Sequence, residues 1–154
     1  MDRLTVPGTL DSLDEIGKYV ISVAQAAGLD KRAIYRLRLA VDELATNVIT
    51  YGYERSGLSG DVDICTEIDD KNLTVLIEDS AVPYDPTKTP SPDDFNVPLE
   101  DRPIGGLGVF LARQAVDEFR YERVDGHNRS ILVIHRPVAD TETQENEQGD
   151  QQGD

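Results

Sequence analysis

The chain has 154 residues, 38% of them hydrophobic, and its 30 acids against 15 Lys/Arg give a formal charge of −15. That length favours one domain whose core needs neither disulfides nor a structural metal. So acidic a surface repels phosphate backbones and anionic lipids, which argues against nucleic-acid and membrane-surface roles. The sequence also has no apolar run of about 18 residues and no leader pattern, so a cytoplasmic protein is expected.

Residues 4–7 read as a short edge strand. Thr9 or Asp11 can cap a helix running to about Ala27, with Leu13, Ile16, Val20, Val23 and Ala27 at helical spacing and Gly28 as its stop. Asp30 caps a second helix over roughly 31–51, where Leu37, Val41, Leu44 and Val48 form an apolar stripe. The period then changes to two. Val62, Ile64, Thr66 and Ile68 alternate, as do Leu73, Val75 and Ile77, and Asp69-Asp70-Lys71-Asn72 between them reads as a hairpin turn. The single cysteine, Cys65, can form no intrachain disulfide and reads as a small strand residue.

Residues 80–104 contain Pro83, Pro86, Pro90, Pro92, Pro98 and Pro103, a density that no regular element survives, so a long loop is expected. Gly105-Gly106-Leu107-Gly108 then opens a mostly apolar helix through Val116. Residues 118–124 and 130–135 read as a second hairpin around Asp125-Gly126-His127-Asn128. Residues 138–154 carry Asp140, Glu142, Glu145, Glu147, Asp150 and Asp154 with no base and almost no apolar residue, so a disordered acidic tail follows a domain over 1–137. Hairpins grouped with helices between them predict an α+β two-layer sandwich: a mainly antiparallel, mixed sheet with helices on one face.

Three groups can carry chemistry. Glu43 and Asn47 are four apart on one helix and share a face with Arg36 and Ala40. An Asn oxygen suits Mg²⁺ when phosphates and water complete the shell, and a carboxylate one turn away can accept a proton from an attacking hydroxyl. The other reading of this pair is a solvated helix face. Asp79 ends a buried strand before Ser80 and Ala81, where it can accept a hydrogen bond from an exocyclic amine or simply terminate the strand in a turn. The glycines at 105–108 can let backbone and helix-start amides approach phosphates, or serve as a linker. His127 and His135 have no second ligand at metal spacing.

The order of these groups is more specific than any one of them. Val41-Asp42-Glu43-Leu44-Ala45-Thr46-Asn47-Val48 with Tyr51-Gly52-Tyr53 resembles the N box of the GHKL ATPase superfamily. Asp79 through Pro86 resembles its adenine segment as found in anti-sigma serine kinases, residues 105–111 resemble their glycine motif, and residues 117–129 resemble their closing hairpin. The resemblance, to anti-sigma-factor serine/threonine kinases of the RsbW and SpoIIAB type, spans about residues 5–137. It implies a Bergerat fold holding ATP and Mg²⁺. By position, Asn47 would hold Mg²⁺, Glu43 would be the base toward a serine, and Asp79 would hold the adenine amine. Ala81 would stand beside that amine, with Gly105, Gly106, Leu107 and Gly108 at the phosphates. The lid would be residues 83–104, with Arg102 reaching toward the γ-phosphate. It also implies a STAS-domain anti-anti-sigma substrate, a sigma factor or other target as partner, and a homodimer.

One departure is informative. The family's adenine motif reads Asp-x-Gly, and Ala81 stands at the glycine. If that position needs φ > 0, alanine strains it. Two functions therefore compete: an ATP-dependent protein-serine kinase, and a catalytically weak or inactive module of the same fold that only sequesters a partner.

Overall fold

The computed structural model describes residues 2–86 and 106–137. Five strands form one sheet in the order β1-β2-β3-β5-β4. They are β1 (Asp2–Pro7), β2 (Asp61–Ile68), β3 (Asn72–Asp79), β4 (Glu118–Val124) and β5 (His127–His135). All four pairings are antiparallel. Three α-helices, α1 (Leu13–Ala26), α2 (Lys31–Asn47) and α3 (Gly106–Ala115), form the second layer, with α2 touching both α1 and α3. This is the expected α+β sandwich. The acidic segment 138–154 and residues 87–104 of the expected lid lie outside the described residues.

The alternation in the strands explains which face is covered. Val62 and Ile64 of β2, Leu73, Val75 and Ile77 of β3, and Leu132 and Ile134 of β5 are buried with Ile16, Val20, Leu37, Val41 and Leu44 of the helices. At one end this inner face turns polar. Continuing β3 by one alternation reaches Asp79, and β5 opens with Asn128 and Ser130 on the same face. The register pairs Asp79 with Asn128 and Ile77 with Ser130, which brings the polar ends of two apolar strands together beneath α2.

Three local expectations need correction. Thr9 and Asp11 do not cap α1 with their side chains. A 3₁₀ turn over Leu10–Ser12 precedes the helix, and the Ser12 hydroxyl donates to the Pro7 carbonyl at 2.7 Å instead of capping. The second helix is α-helical only to Asn47 and continues as a π-helical turn over Val48–Glu54. Strand β5 begins at His127, not 130, because Asp125 (φ 51°) and Gly126 (φ 81°) alone make the turn. Two successive positive φ values suit the twist of a two-residue hairpin loop.

The other signals act as their chemistry predicts. Asp30 accepts from the Ala33 amide at 2.8 Å, and Gly28 leaves α1 at φ 79°. Asp69 accepts from the Lys71 and Asn72 amides, which lowers its pKa and closes the first hairpin. Cys65 is a buried β2 residue whose sulfur accepts from Arg3 Nε at 3.2 Å.

Candidate functional site

At the polar end of the inner face, between α2 with its π turn and strands β3 and β5, lies a cavity of about 240 Å³. Leu44, Val48, Ile77 and Val82 give it apolar walls, and Asn47, Asp79, Asn128 and Ser130 bring polar groups into the lining. The two residues on which the sequence reading depends, Asn47 and Asp79, thus meet in one cavity.

Asp79 is 4% exposed, and burial raises its pKa against the opposing effect of hydrogen bonds from Asn128 and Ala81. Both bonds end on Oδ1: the Ala81 amide and Asn128 Nδ2 each donate at 2.9 Å. Asn128 does more than hold Asp79. Its Nδ2 also donates to the Val82 carbonyl at 2.9 Å, while its Oδ1 accepts from the Tyr121 hydroxyl at 2.5 Å and the Tyr84 amide at 3.3 Å. One buried side chain thereby straps the segment after β3 onto β4 and β5.

Ala81 also lines the cavity and is 2% exposed. Among the described residues, Asp125 is the only non-glycine with positive φ, so Ala81 carries none of the backbone strain its sequence position raised. Its methyl is accommodated by Gly52: a Cβ built on Gly52 would sit 2.7 Å from Ala81 Cβ. Next to it, Tyr53 is fully buried. Its hydroxyl donates to the Asp61 carbonyl at 2.7 Å and accepts from the Ser80 amide at 2.9 Å, pinning the start of the same segment.

Asn47 ends α2 where the π turn begins, and its Nδ2 is buried without a hydrogen-bond partner among the described residues. A buried amide left so costs about 1–3 kcal/mol unless a ligand satisfies it. A half-turn about χ2 exchanges its nitrogen and oxygen, so the same position can present an acceptor to a cation. Among the described residues no three His, Cys, Asp or Glu side chains cluster around a metal position. Any divalent ion at Asn47 would need further oxygens from its own ligand and water.

Glu43 does not line the cavity. It stands one helical turn before Asn47, against α3: a Cβ on Gly108 would collide with Glu43 Oε2 and lie 2.9 Å from its Cδ. Gly106, Leu107 and Gly108 form the first turn of α3. Gly105 and Arg102 lie outside the described residues. The sequence reading assigned no site role to Asn128, Tyr121 or Tyr53. The available signal for Asn128 was the polar pair Asn128 and Ser130 leading an otherwise apolar alternation in β5.

A family model described as "Histidine kinase-like ATPase domain" matches residues 6–134. The chain belongs to this family. Among relatives, the serine-protein kinase RsbW of Staphylococcus epidermidis is 26% identical over 133 residues, covering 84% of each chain. The RsbW of Bacillus cereus is 23% identical over 148 residues, covering 94% of this chain and 89% of the relative. The solved RsbU and RsbW domains of a Mycobacterium tuberculosis protein share the fold, with a TM-score of 0.58 at 17% identity. That match covers 90% of this chain, which spans 34% of the solved one. None of the described helices is long and apolar enough to cross a membrane.

Proposed function

We propose that this histidine kinase-like ATPase domain is a Mg²⁺- and ATP-dependent protein-serine kinase of the anti-sigma type, cytoplasmic, with its ATP-binding unit in residues 1–137. The observation that carries the reading is the convergence of Asp79 and the unpartnered Asn47 amide on one cavity, with the Glu43 carboxylate a turn away at the start of α3.

The lining fits the nucleotide. Apolar walls at Leu44, Val48, Ile77 and Val82 suit a base, and Asp79 is an acceptor held in place by Asn128 and Ala81 for the base's amine. Asn47 is placed to hold Mg²⁺, and its buried amide is the group a bound ligand would satisfy. The amides of Gly106, Leu107 and Gly108, in the first turn of α3, have no intrahelical acceptor by position and suit phosphate oxygens. Gly105 and Arg102 are proposed as further phosphate contacts on the resemblance alone. Bound Mg-ATP supplies an electrophilic phosphorus with its charge partly neutralised. Glu43 accepts the proton of the incoming serine hydroxyl, and its position at Gly108 orients it.

The proposed phospho-acceptor is a STAS-domain anti-anti-sigma protein, and the proposed second partner is a sigma factor or another regulatory target bound by a homodimer. The reading as an inactive sequestering module rests on strain at Ala81. The absence of positive φ there and the room Gly52 leaves for the methyl support the kinase reading over that one.

Calorimetry with ATP tests the site: Mg²⁺-dependent heat is expected from the wild-type chain and none from Asn47→Ala. Incubation with Mg-ATP and a STAS-domain partner should yield phosphoserine on the partner, and Glu43→Gln should bind nucleotide without transferring phosphate. A folded wild-type chain that binds no Mg-ATP would refute the proposal.

A further inference from the structure

We propose that the acidic segment 138–154 of this chain docks on the basic, exposed face of the first half of α2. Four of the chain's 15 Lys/Arg, namely Lys31, Arg32, Arg36 and Arg38, stand within residues 31–38 of a protein whose charge is −15. Arg38 lies along α1, where a Cβ on Gly17 would approach its Nε to 3.3 Å. All four are exposed, and Tyr35 among them is 63% exposed. None of the four makes an ion pair among the described residues, where Lys18 and Arg129 are the only lysine and arginine that do; what sets the four apart is their density on one helix. A strongly acidic chain thus has its densest run of cations without an ion-pair partner among the described residues.

The occupant follows from charge and from where the described chain ends. Residues 138–154 bring six acids and no base; removing those six from −15 leaves −9 on residues 1–137. Arg136 donates its backbone amide to the Lys71 carbonyl in the β2–β3 turn and its Nε to the Ala27 carbonyl, both at 2.8 Å, so the described chain ends near that turn, one arginine side chain from the end of α1. Fully extended, residues 138–154 reach on the order of 55 Å at about 3.3 Å per residue. Arg32 and Arg36 share a helix face with Glu43, and Arg32 to Glu43 is only about 16 Å at about 1.5 Å per residue. From the described end of the chain, that length is enough to reach the cations and lie along them. Paired carboxylates, the helix N-terminus and an exposed aromatic surface together hold it there. So placed, it competes with any acidic partner using that face.

The test uses the full chain with a nitroxide at Gln148→Cys in a Cys65→Ser background. At low salt, the amide signals of Arg32, Tyr35 and Arg36 should be lost or strongly attenuated. They should return at high salt, where surface attraction is screened. They should also return when the six tail acids are replaced by Asn and Gln, and in Arg32→Glu/Arg36→Glu. Attenuation confined to other faces, or none at low salt, overturns the proposal. Attenuation that appears between labelled and unlabelled chains in a mixture assigns the contact to a second copy and overturns it equally. None of these readouts depends on nucleotide binding, so the result is independent of the proposed kinase activity.

Discussion

Gly52 and Ala81 are expected to behave as one unit. Gly52 has an ordinary negative-φ backbone, so an alanine there meets no conformational barrier and gains up to about 1 kcal/mol of helix propensity in isolation. The obstacle is packing. The new Cβ would lie 2.7 Å from Ala81 Cβ, whereas carbons rest about 3.5–4.0 Å apart, so the π turn and the segment after β3 must separate by about 1 Å. Overpacking of this kind costs about 1–3 kcal/mol, and the yielding segment is the one that positions Asp79 through the Ala81 amide. Gly52→Ala should therefore lower both urea-denaturation stability and Mg-ATP affinity. Ala81→Gly alone should lose only a buried methyl, at about 1 kcal/mol, and should not tighten nucleotide binding. In the double variant the methyl moves from one wall to the other, so most of the stability and affinity should return, with a coupling energy of about 1–3 kcal/mol. Additive effects, with coupling below about 0.5 kcal/mol, would refute the reasoning.

Asp79→Asn should fold and keep both hydrogen bonds to Oδ1 but lose Mg-ATP binding, because an amide nitrogen replaces the remaining acceptor oxygen. Burial raises the Asp79 pKa, so the folded state holds its proton more tightly than the unfolded one, and stability should fall as pH rises from the ordinary carboxylate range through the folded pKa. Chemical denaturation across pH should show that decline shrink in Asp79→Asn; an undiminished decline would assign it to other groups. Gly108→Ala places a methyl against the Glu43 carboxylate, a flexible group that can swing aside, so stability should change by less than about 1 kcal/mol while phosphotransfer falls and Mg-ATP affinity holds. Equal transfer rates in the variant and the wild type would remove Glu43 from the chemistry. Tyr53→Phe strips a buried hydroxyl from the Asp61 carbonyl and the Ser80 amide and should cost about 1–3 kcal/mol in thermal or urea unfolding; a loss near zero would mean water replaces both bonds.

The strands and helix caps were legible because each rests on local chemistry: alternation in β2 and β3, Asp30 three residues before the amide it caps, Gly28 at positive φ. The end of α2 was not. Its apolar spacing continues past Asn47, but burying Tyr53 against the close-packed backbone of Gly8 and Gly60 accompanies a shift to π geometry, visible in the Arg55 amide bonding to the Thr50 carbonyl at 2.9 Å. Of the cavity lining, Asn47, Asp79 and Ala81 are residues that order along the chain singles out. Asn128 was hidden because its role exists only in the β3–β5 register, which no local rule supplies. Gly52 was hidden for the same reason, since Ala81, which it packs against, comes 29 residues later, just after β3.

The site has two supports of different kinds. Asn47, Asp79 and Asn128 come from α2, β3 and β5, elements tied together through the buried core, so the cavity should persist when α3 is perturbed. Glu43 is oriented by contact with Gly108, and α3 follows directly on residues 87–105. Anything that shifts the start of α3 should therefore alter the proposed proton acceptor before it alters the proposed base pocket. In the proposed kinase, substitutions on α3 that move Glu43 but leave the first-turn amides in place should separate transfer rate from nucleotide affinity, while substitutions around Asn128 should lower both. If changes at Gly108 and at Asn128 instead moved rate and affinity in constant proportion, the two supports would be one, and the position of Glu43 at the helix start would carry no separate role.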